Sequence, residues 1–253
     1  MICLLMEMCK TNMKTDKIKL LSHYRALLFF TFNRLKGDNA RLMSEYFSQI
    51  LIGEIEEFMP LWEKKVLDVG GGRGIFCKAV NEKRKCDAIN YEPNPGNYIW
   101  ENTKIGFADN ISFEDNEFDL VICRGVLEHI PTEKQQKSVN ELYRTTKKGG
   151  ICYILIPPWY NPHAGHNLKP FHIFPFKLAK FLRQLIFRDK IKANSYEEAG
   201  LYPITYKRMF KMISESGFKV LATKDTHFRL HFLTKVPIIR EIAVPAIAFI
   251  LKR

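Results

Sequence analysis

The sequence predicts an α/β fold in which a mostly parallel sheet carries helices on both faces. Short apolar runs follow one another along the chain, with helical spacings between them. The runs are nearly continuous in apolar residues, which is typical of strands buried on both faces. With 253 residues, 46% of them hydrophobic, the chain is long enough for one large domain.

The elements are assigned in chain order from these spacings. Residues 17–58 are expected to be helical, because apolar side chains recur at i, i+3 and i+4 through the second half of the segment. Strands are then expected at 65–69, 86–91, 105–107, 118–123, 151–157, 218–224 and 246–251. Helices are expected at 74–83, 93–103, 132–146, 176–188 and 206–216. The tail from 236 is either a short helix before the last strand or one helix, and Pro245 favours the first.

Several helix ends carry their own signals. Thr132 and Gln135 have the spacing of a capping box. Gly149 and Gly150 are expected to end the helix that Thr132 begins, and Gly217 is expected to cap the helix before it.

The stretch VLDVGGGRG at 66–74 places four glycines in five positions after a strand. Glycine costs conformational entropy, so this cluster indicates a loop built to hold something. A triphosphate loop is excluded, because no Lys-Ser or Lys-Thr follows the glycines. The G-x-G-x-x-G fingerprint of dinucleotide folds is excluded too, because Ile75 stands where its third glycine belongs. Asp68 would repel a pyrophosphate and suits a ligand that carries an ammonium group.

This loop resembles the first motif of class I S-adenosylmethionine-dependent methyltransferases, in the broad subgroup that acts on small molecules. The motif is acid-x-G-x-G-x-G, and its residues here are Asp68, Gly70, Gly72 and Gly74. The resemblance covers 60–158, with a weaker match over 204–226. It implies a Rossmann-like seven-stranded sheet and S-adenosyl-L-methionine as cofactor, with the glycine backbone against its methionine part and ribose. It also implies that Asp68 interacts with the cofactor's ammonium group, directly or through water.

Further stretches fit the same family. Glu92 closes the second strand, where an acid can accept hydrogen bonds from both ribose hydroxyls. The stretches 112–130 and 145–158 resemble the family's approaches to the fourth and fifth strands. The resemblance also assigns Asp109, the acid nearest to the adenine-binding position, and Arg124, after the fourth strand, to cofactor binding.

The predicted organisation is an N-terminal helical extension (1–59) and a methyltransferase domain (60–253) with a lid inserted at 158–203. The insertion is rich in proline, histidine, aromatic and basic residues, and related enzymes often cover the acceptor pocket with the segment after strand five. A histidine there can deprotonate an acceptor hydroxyl near neutral pH. His166, beside Gly165, is the predicted catalytic residue.

No metal site is expected from the sequence. His163, His166 and His172 lie close together in the chain, but no cysteine or paired acid stands near them to complete a zinc site. Glu128 and His129, in the sequence LEHIP, are interpreted as structural or cofactor-adjacent.

The composition is strongly basic, with 39 Lys+Arg against 27 Asp+Glu and a net charge of +12. This favours anionic partners. In 169–192 basic residues alternate with aromatic and aliphatic ones, so the segment is either a solvated helix face or a peripheral contact with an anionic membrane. The predicted acceptor is a small molecule or a lipid- or glycan-linked group.

Two other functions stay open. The charge also suits an RNA methyltransferase, but nucleic acid is disfavoured because Ile156 replaces the polar residue of the [DNS]-P-P-[YFW] box of amino-group methyltransferases. The second alternative is a non-catalytic scaffold that keeps the cofactor fold.

The expected location is cytoplasmic, with a membrane-peripheral position as an option. The six cysteines contain no C-x-x-C pair and are interpreted as reduced core residues. The apolar start of the chain is too short for a signal peptide, and no apolar run reaches the ~18 residues of a spanning helix.

Overall fold

The computed structural model describes residues 20–33, 38–94, 96 and 98–253. The helices are α1 (Leu20–Asn33), α2 (Asn39–Glu56), α3 (Ile75–Arg84), α4 (Thr132–Thr145), α5 (Phe176–Phe187), α6 (Tyr206–Ser216) and α7 (Pro237–Ile242). The strands are β1 (Lys65–Val69), β2 (Asp87–Glu92), β3 (Thr103–Ile105), β4 (Phe118–Arg124), β5 (Thr146–Ile156), β6 (Lys219–Asp225) and β7 (Ile247–Lys252).

The seven strands have the order β3-β2-β1-β4-β5-β7-β6. The pairs β1–β2, β2–β3 and β4–β5 are parallel, whereas β7 runs antiparallel to both β5 and β6. The predicted α/β class, with a Rossmann-like, mostly parallel seven-stranded sheet, is therefore confirmed.

The chain separates into two compact units, Met1–Ile105 and Gly106–Arg253. In the first unit, β1 buries every residue from Val66 to Val69, and its neighbour β2 lies in parallel register with it. Helix α3 buries Phe76, Cys77 and Val80. Burial of apolar side chains of this size stabilises a fold by roughly 1.5–3 kcal/mol each.

In the second unit, the core follows β4, β5 and β7. Four successive residues of β4 (120–123) and five of β7 (247–251) are buried, as expected for inner strands. Arg144 on α4 ties the loop before β4 to this core. Its guanidinium donates to the carbonyls of Ile111 and Phe113 and pairs with Asp115, each at 2.8 Å.

Most predicted elements are confirmed within one or two residues, including β1, α5, the Gly217 cap of α6 and the short helix before β7. Residues 17–19 and 34–37 of the predicted N-terminal helical segment lie outside the described residues, as do Cys3 and Cys9. Cys77, Cys86, Cys123 and Cys152 are buried, as predicted. The division into 1–59 and 60–253 stays a prediction.

The helix predicted over 93–103 is wrong. The described residues of this segment form bends, followed by β3 two residues earlier than predicted. Pro93 opens the segment, and tertiary hydrogen bonds hold its later part. Trp100 Nε1 and Asn102 Nδ2 both donate to the carbonyl of Ala88 on β2, at 2.8 and 3.2 Å. These bonds hold the chain against the sheet in place of a helical turn.

Both capping predictions around α4 are wrong as well. Thr132 is the first helical residue, and the N-cap is Pro131, with no side-chain cap. Gln135 is instead buried and donates to the carbonyls of Leu127 and Ile130. At the other end, 149–150 lies inside β5, which begins directly after α4.

Among the described residues, no helix is both long and apolar enough to cross a membrane.

Candidate functional site

The glycine loop, residues 70–74 between β1 and α3, has a backbone that requires glycine. Gly70, Gly72 and Gly74 have φ angles of 70°, 56° and 77°. This left-handed region costs other residues roughly 1–2 kcal/mol each. The amide of Gly70 donates to the carbonyl of Tyr91 at 2.7 Å, which fixes the start of the loop to β2.

Gly71 is required for a different reason, close approach. A Cβ at this position would lie 2.4 Å from Asn90 Oδ1 and 2.5 Å from Asp68 Oδ2. Heavy atoms do not come so close, so a side chain here would displace the loop from the two polar groups beneath it. All four glycines of VLDVGGGRG therefore have a geometric explanation.

Three polar side chains of the first unit lie at this loop: Asp68, Asn90 and Glu92. Asp68 is buried at the end of β1. Glu92 Oε2 accepts from the amide of Gly72 at 3.1 Å, and Glu92 Oε1 accepts from the backbone and side chain of Asn94. The structure thus brings together the predicted residues Asp68 and Glu92 with the glycines.

Asn90 is a residue of this group that sequence reasoning missed. It is fully buried on β2, and its Nδ2 donates to the carbonyl of Gly72 at 2.9 Å and to Thr103 Oγ1 at 3.2 Å. Its Oδ1 is buried and finds no hydrogen-bond partner among the described residues. A polar residue inside the apolar run of β2 was the available signal, since buried amides need partners.

This loop fits a cationic cofactor that also carries a ribose. A Cβ at Gly72 would meet nothing within 4 Å, so the backbone there is open to a ligand. Glu92 lies beside that opening, where its carboxylate can accept from hydroxyls. The two acids add negative charge, which suits an ammonium or sulfonium group and opposes a phosphate.

In the second unit, a separate group forms after β4. Glu128 and His129 lie in a short 3₁₀ turn, Leu127–His129, and His166 begins another, His166–Leu168. One ligand atom of each of these three residues lies within 4.8 Å of the others. The rings of His129 and His166 are 4.7 Å apart. The sequence predicted His166 as catalytic and the other two as structural or cofactor-adjacent.

The surroundings shift the protonation of this group. Burial raises the pKa of the Glu128 carboxyl to about 7. The pKa of His166 is lowered, mainly because the ring is partly buried and to a smaller extent because of the nearby charges of His129 and Lys169.

The His166 turn is held by a packed neighbour, His172. The Nε2 of this buried ring hydrogen bonds to the carbonyl of Trp159 at 2.7 Å, and burial lowers its pKa. A Cβ at Gly165 would lie 2.3 Å from the ring, so glycine is needed there. The hydroxyl of Tyr196 donates to the carbonyl of His172 at 2.7 Å.

Two predicted cofactor residues lie elsewhere in the second unit. Asp109 forms an ion pair with Lys134 at 3.2 Å. Arg124 is the last residue of β4 and is half-buried.

The family of the chain is shown by its similarity to known proteins. A family model described as a methyltransferase domain matches residues 22–195. The chain belongs to this methyltransferase family. An uncharacterised methyltransferase of Mycobacteroides abscessus is 23% identical over 234 residues, 87% of this chain and 86% of its own. One from Mycobacterium leprae is 28% identical over 204 residues, 74% and 71% of the two chains.

Solved structures share the fold. A SAM-dependent methyltransferase of Archaeoglobus fulgidus superposes with a TM-score of 0.51 at 17% identity, covering 85% of this chain and 99% of its own. A TehB-like SAM-dependent methyltransferase of Corynebacterium glutamicum gives 0.53 at 10% identity, covering 83% and 86%. The protein is therefore a methyltransferase. Both solved structures are named as SAM-dependent, which agrees with the predicted cofactor, S-adenosylmethionine.

Proposed function

We propose that this methyltransferase transfers a methyl group from S-adenosylmethionine to a lipid-linked acceptor at an anionic membrane surface. The proposal rests mainly on the apolar side chains that α5 exposes on one face. Leu178, Phe181 and Leu185 stand at i, i+3 and i+7, so they share one helix face. Their exposed fractions are 44%, 57% and 63%. Within α5, all of which is described, Ala179 is the residue that is buried.

The apolar surface extends beyond this face. Ile173 and Phe174, just before α5, are exposed, as are Ile186 and Phe187 at its end. Single exposed apolar residues are ordinary, but a run of neighbouring ones indicates a surface that meets another apolar phase.

Positive charge flanks the same helix. The exposed cations of the segment are Lys169, Lys177, Arg188, Lys190 and Lys192. Asp189 is the single acid in 169–192, and Arg183 already pairs with it. Each cation near an anionic leaflet contributes about 1 kcal/mol to binding. An exposed apolar face with a basic margin is the pattern of a helix that lies in the membrane interface.

The first unit supplies the cofactor contacts in this proposal. The carboxylate of Asp68 faces the ammonium group, the backbone of Gly70, Gly72 and Gly74 contacts the methionine part, and Glu92 accepts from the ribose hydroxyls. When bound, S-adenosylmethionine supplies an activated methyl on a sulfonium that is its own leaving group. The protein then mainly positions the two reactants.

The roles of the other predicted site residues are also part of this proposal. Asp109 and Arg124 are assigned to the cofactor by the family resemblance. His166 is assigned to the acceptor side of the reaction because it lies in 158–203, the predicted lid.

Membrane contact is tested by flotation with vesicles of neutral phosphatidylcholine alone and of phosphatidylcholine with anionic phosphatidylglycerol. We expect the protein to float with the anionic vesicles and to lose at least tenfold in affinity when Phe181 and Leu185 are both replaced by Ser. The control is Phe210→Ser, an exposed apolar residue on α6. Equal loss in the control, or no flotation of the wild type, contradicts the proposal.

Methyl transfer itself is tested with S-[methyl-³H]adenosylmethionine and a membrane fraction of the source organism. We expect label in the organic phase after extraction, and loss of that label with the Phe181, Leu185 double variant. Label that partitions with RNA instead would favour the RNA methyltransferase alternative. Label that stays on small water-soluble products would refute the lipid assignment while leaving the enzyme class intact.

A further inference from the structure

The group formed by Glu128, His129 and His166 has the composition of a metal site. Two imidazoles and one carboxylate bring one ligand atom each within 4.8 Å of the others. The sequence predicted no metal here because the acid that joins the histidines is far from His166 along the chain. The fold supplies it.

Glu128 is the innermost of the three. Its side chain is almost fully buried, at 4% exposure, and its Oε2 has no hydrogen-bond partner among the described residues. A buried carboxylate oxygen without a partner costs free energy, because the solvation that it loses is not replaced. A cation bound between Glu128 and the two imidazoles would replace it.

His129 is oriented by a hydrogen bond at Nδ1, which leaves Nε2 available to bind a metal ion. Its Nδ1 lies 2.8 Å from the carbonyl oxygen of Gly200, so this nitrogen is the donor and carries the proton. The lone pair of the neutral ring is then on Nε2. A ligating histidine that donates its other nitrogen to a backbone carbonyl is the usual outer-shell arrangement of metal sites.

A second bond clamps the same turn. The amide of Tyr202 donates to the carbonyl of Glu128 at 2.7 Å. Both Glu128 and His129 are thus fixed to the stretch 200–202. The side chain of His166 is exposed, so it can move while the turn that carries it stays packed against His172. Ligand atoms about 2.0–2.2 Å from one zinc ion lie roughly 3.5 Å apart, so the three ligand atoms must approach one another by at most about 1.3 Å.

We propose that Glu128, His129 and His166 bind a divalent transition-metal ion of the zinc class. Neutral imidazole nitrogens and one carboxylate are suited to such an ion, and three protein ligands leave a coordination position open. An oxygen of the acceptor can occupy that position, where the ion acts as a Lewis acid. This use rests on the proposed function, whereas the binding of the metal does not. His166 then acts as a ligand and not as a free base.

The test is a zinc titration of the full-length protein after removal of metal with a chelator. Isothermal titration against a competing chelator should give one Zn²⁺ per chain. His129→Asn keeps a donor near the position of Nδ1 and removes Nε2, and His166→Asn suits the left-handed backbone at this residue (φ 46°). We expect each to weaken binding at least tenfold, as does Glu128→Gln.

The matched control is His163→Asn, an exposed histidine in the same segment and outside the group. It should bind zinc as the wild type does. Circular dichroism and titration with S-adenosylmethionine on each variant show that the fold and the cofactor site remain. Absence of zinc binding by the wild type at millimolar concentration, or an equal loss in the His163 control, overturns the proposal. Cofactor binding and methyl transfer would survive that result, so it would not be confused with failure of the proposed function.

Discussion

The glycine loop of the first unit and the histidine group of the second are organised in opposite ways. The loop is continuous in sequence, and each glycine is explained by its own φ angle or by a neighbour on β2. The group is assembled from two distant turns, Leu127–His129 and His166–Leu168. The loop could therefore be recognised from a short motif, whereas the group exists only in the folded chain. We therefore expect substitutions within the glycine loop to weaken cofactor binding, and substitutions that disturb packing around the histidine group to weaken metal binding.

The largest effect is expected from Gly71→Ala in the loop. The added methyl would overlap Asn90 Oδ1 and Asp68 Oδ2, so the loop must move from the cofactor. We expect the affinity for S-adenosylmethionine to fall about a hundredfold, about 2.7 kcal/mol. The control is Gly96→Ala, where a Cβ would meet nothing within 4 Å. Equal affinities for the two variants would show that close approach at Gly71 does not shape the site.

In the second unit, Gly165→Ala tests the packing that holds the His166 turn. The new methyl would lie 2.3 Å from the buried ring of His172. Overpacking of this kind destabilises by about 1–3 kcal/mol. Urea denaturation should show that loss, and zinc affinity should fall while the affinity for S-adenosylmethionine is kept. A variant as stable as the wild type would mean that the turn is not held by His172.

Glu92→Gln gives a smaller effect in the loop. The amide keeps the size of the carboxylate but can accept from the ribose hydroxyls less strongly, since charge-assisted bonds are about twice as strong as neutral ones. We expect about tenfold weaker cofactor binding, about 1.4 kcal/mol, by isothermal titration. Glu101→Gln, an exposed acid of the same unit, should bind as the wild type does. Unchanged affinity in Glu92→Gln would contradict the ribose assignment.

The smallest effect concerns pH. The folded protein holds His172 neutral, with its pKa below the ordinary value of 6.5. As the pH falls below that value the unfolded chain takes up a proton that the folded chain does not, so stability falls, by at most about 1.4 kcal/mol per pH unit. His172→Gln keeps a donor for the Trp159 carbonyl and removes the titration.

Denaturation at pH 7.5 and at pH 5 measures this difference. The free energy of unfolding should fall less between the two pH values in His172→Gln than in the wild type. His163→Asn, at an exposed position, should follow the wild type. Parallel curves for His172→Gln and the wild type would show that burial of this ring is not linked to stability.

The sequence predicted what is local. β1 and the core of β4 are unbroken apolar runs, and the cap of α6 is a glycine, so pattern alone located them. The helix over 93–103 failed because the hydrogen bond of Trp100 to β2 is tertiary. The capping-box prediction is wrong because Gln135 is buried in the core, where its Oε1 also accepts from Arg208.

The candidate site divides in the same way. Asp68, the glycines and Glu92 were predicted from a motif and gather at one loop. Asn90 was missed because its partners come from the loop and from β3. Glu128 and His129 were assigned a structural or cofactor-adjacent role, because nothing in the sequence LEHIP shows that His166 lies beside them.

The central claim is that the loop between β1 and α3 holds S-adenosylmethionine, and titration of the unmodified protein with that cofactor tests it most directly. We predict one cofactor per chain, displaced by the demethylated product S-adenosylhomocysteine. Absence of binding at millimolar cofactor would contradict the account, and with it every role assigned to Asp68, Glu92 and the glycines.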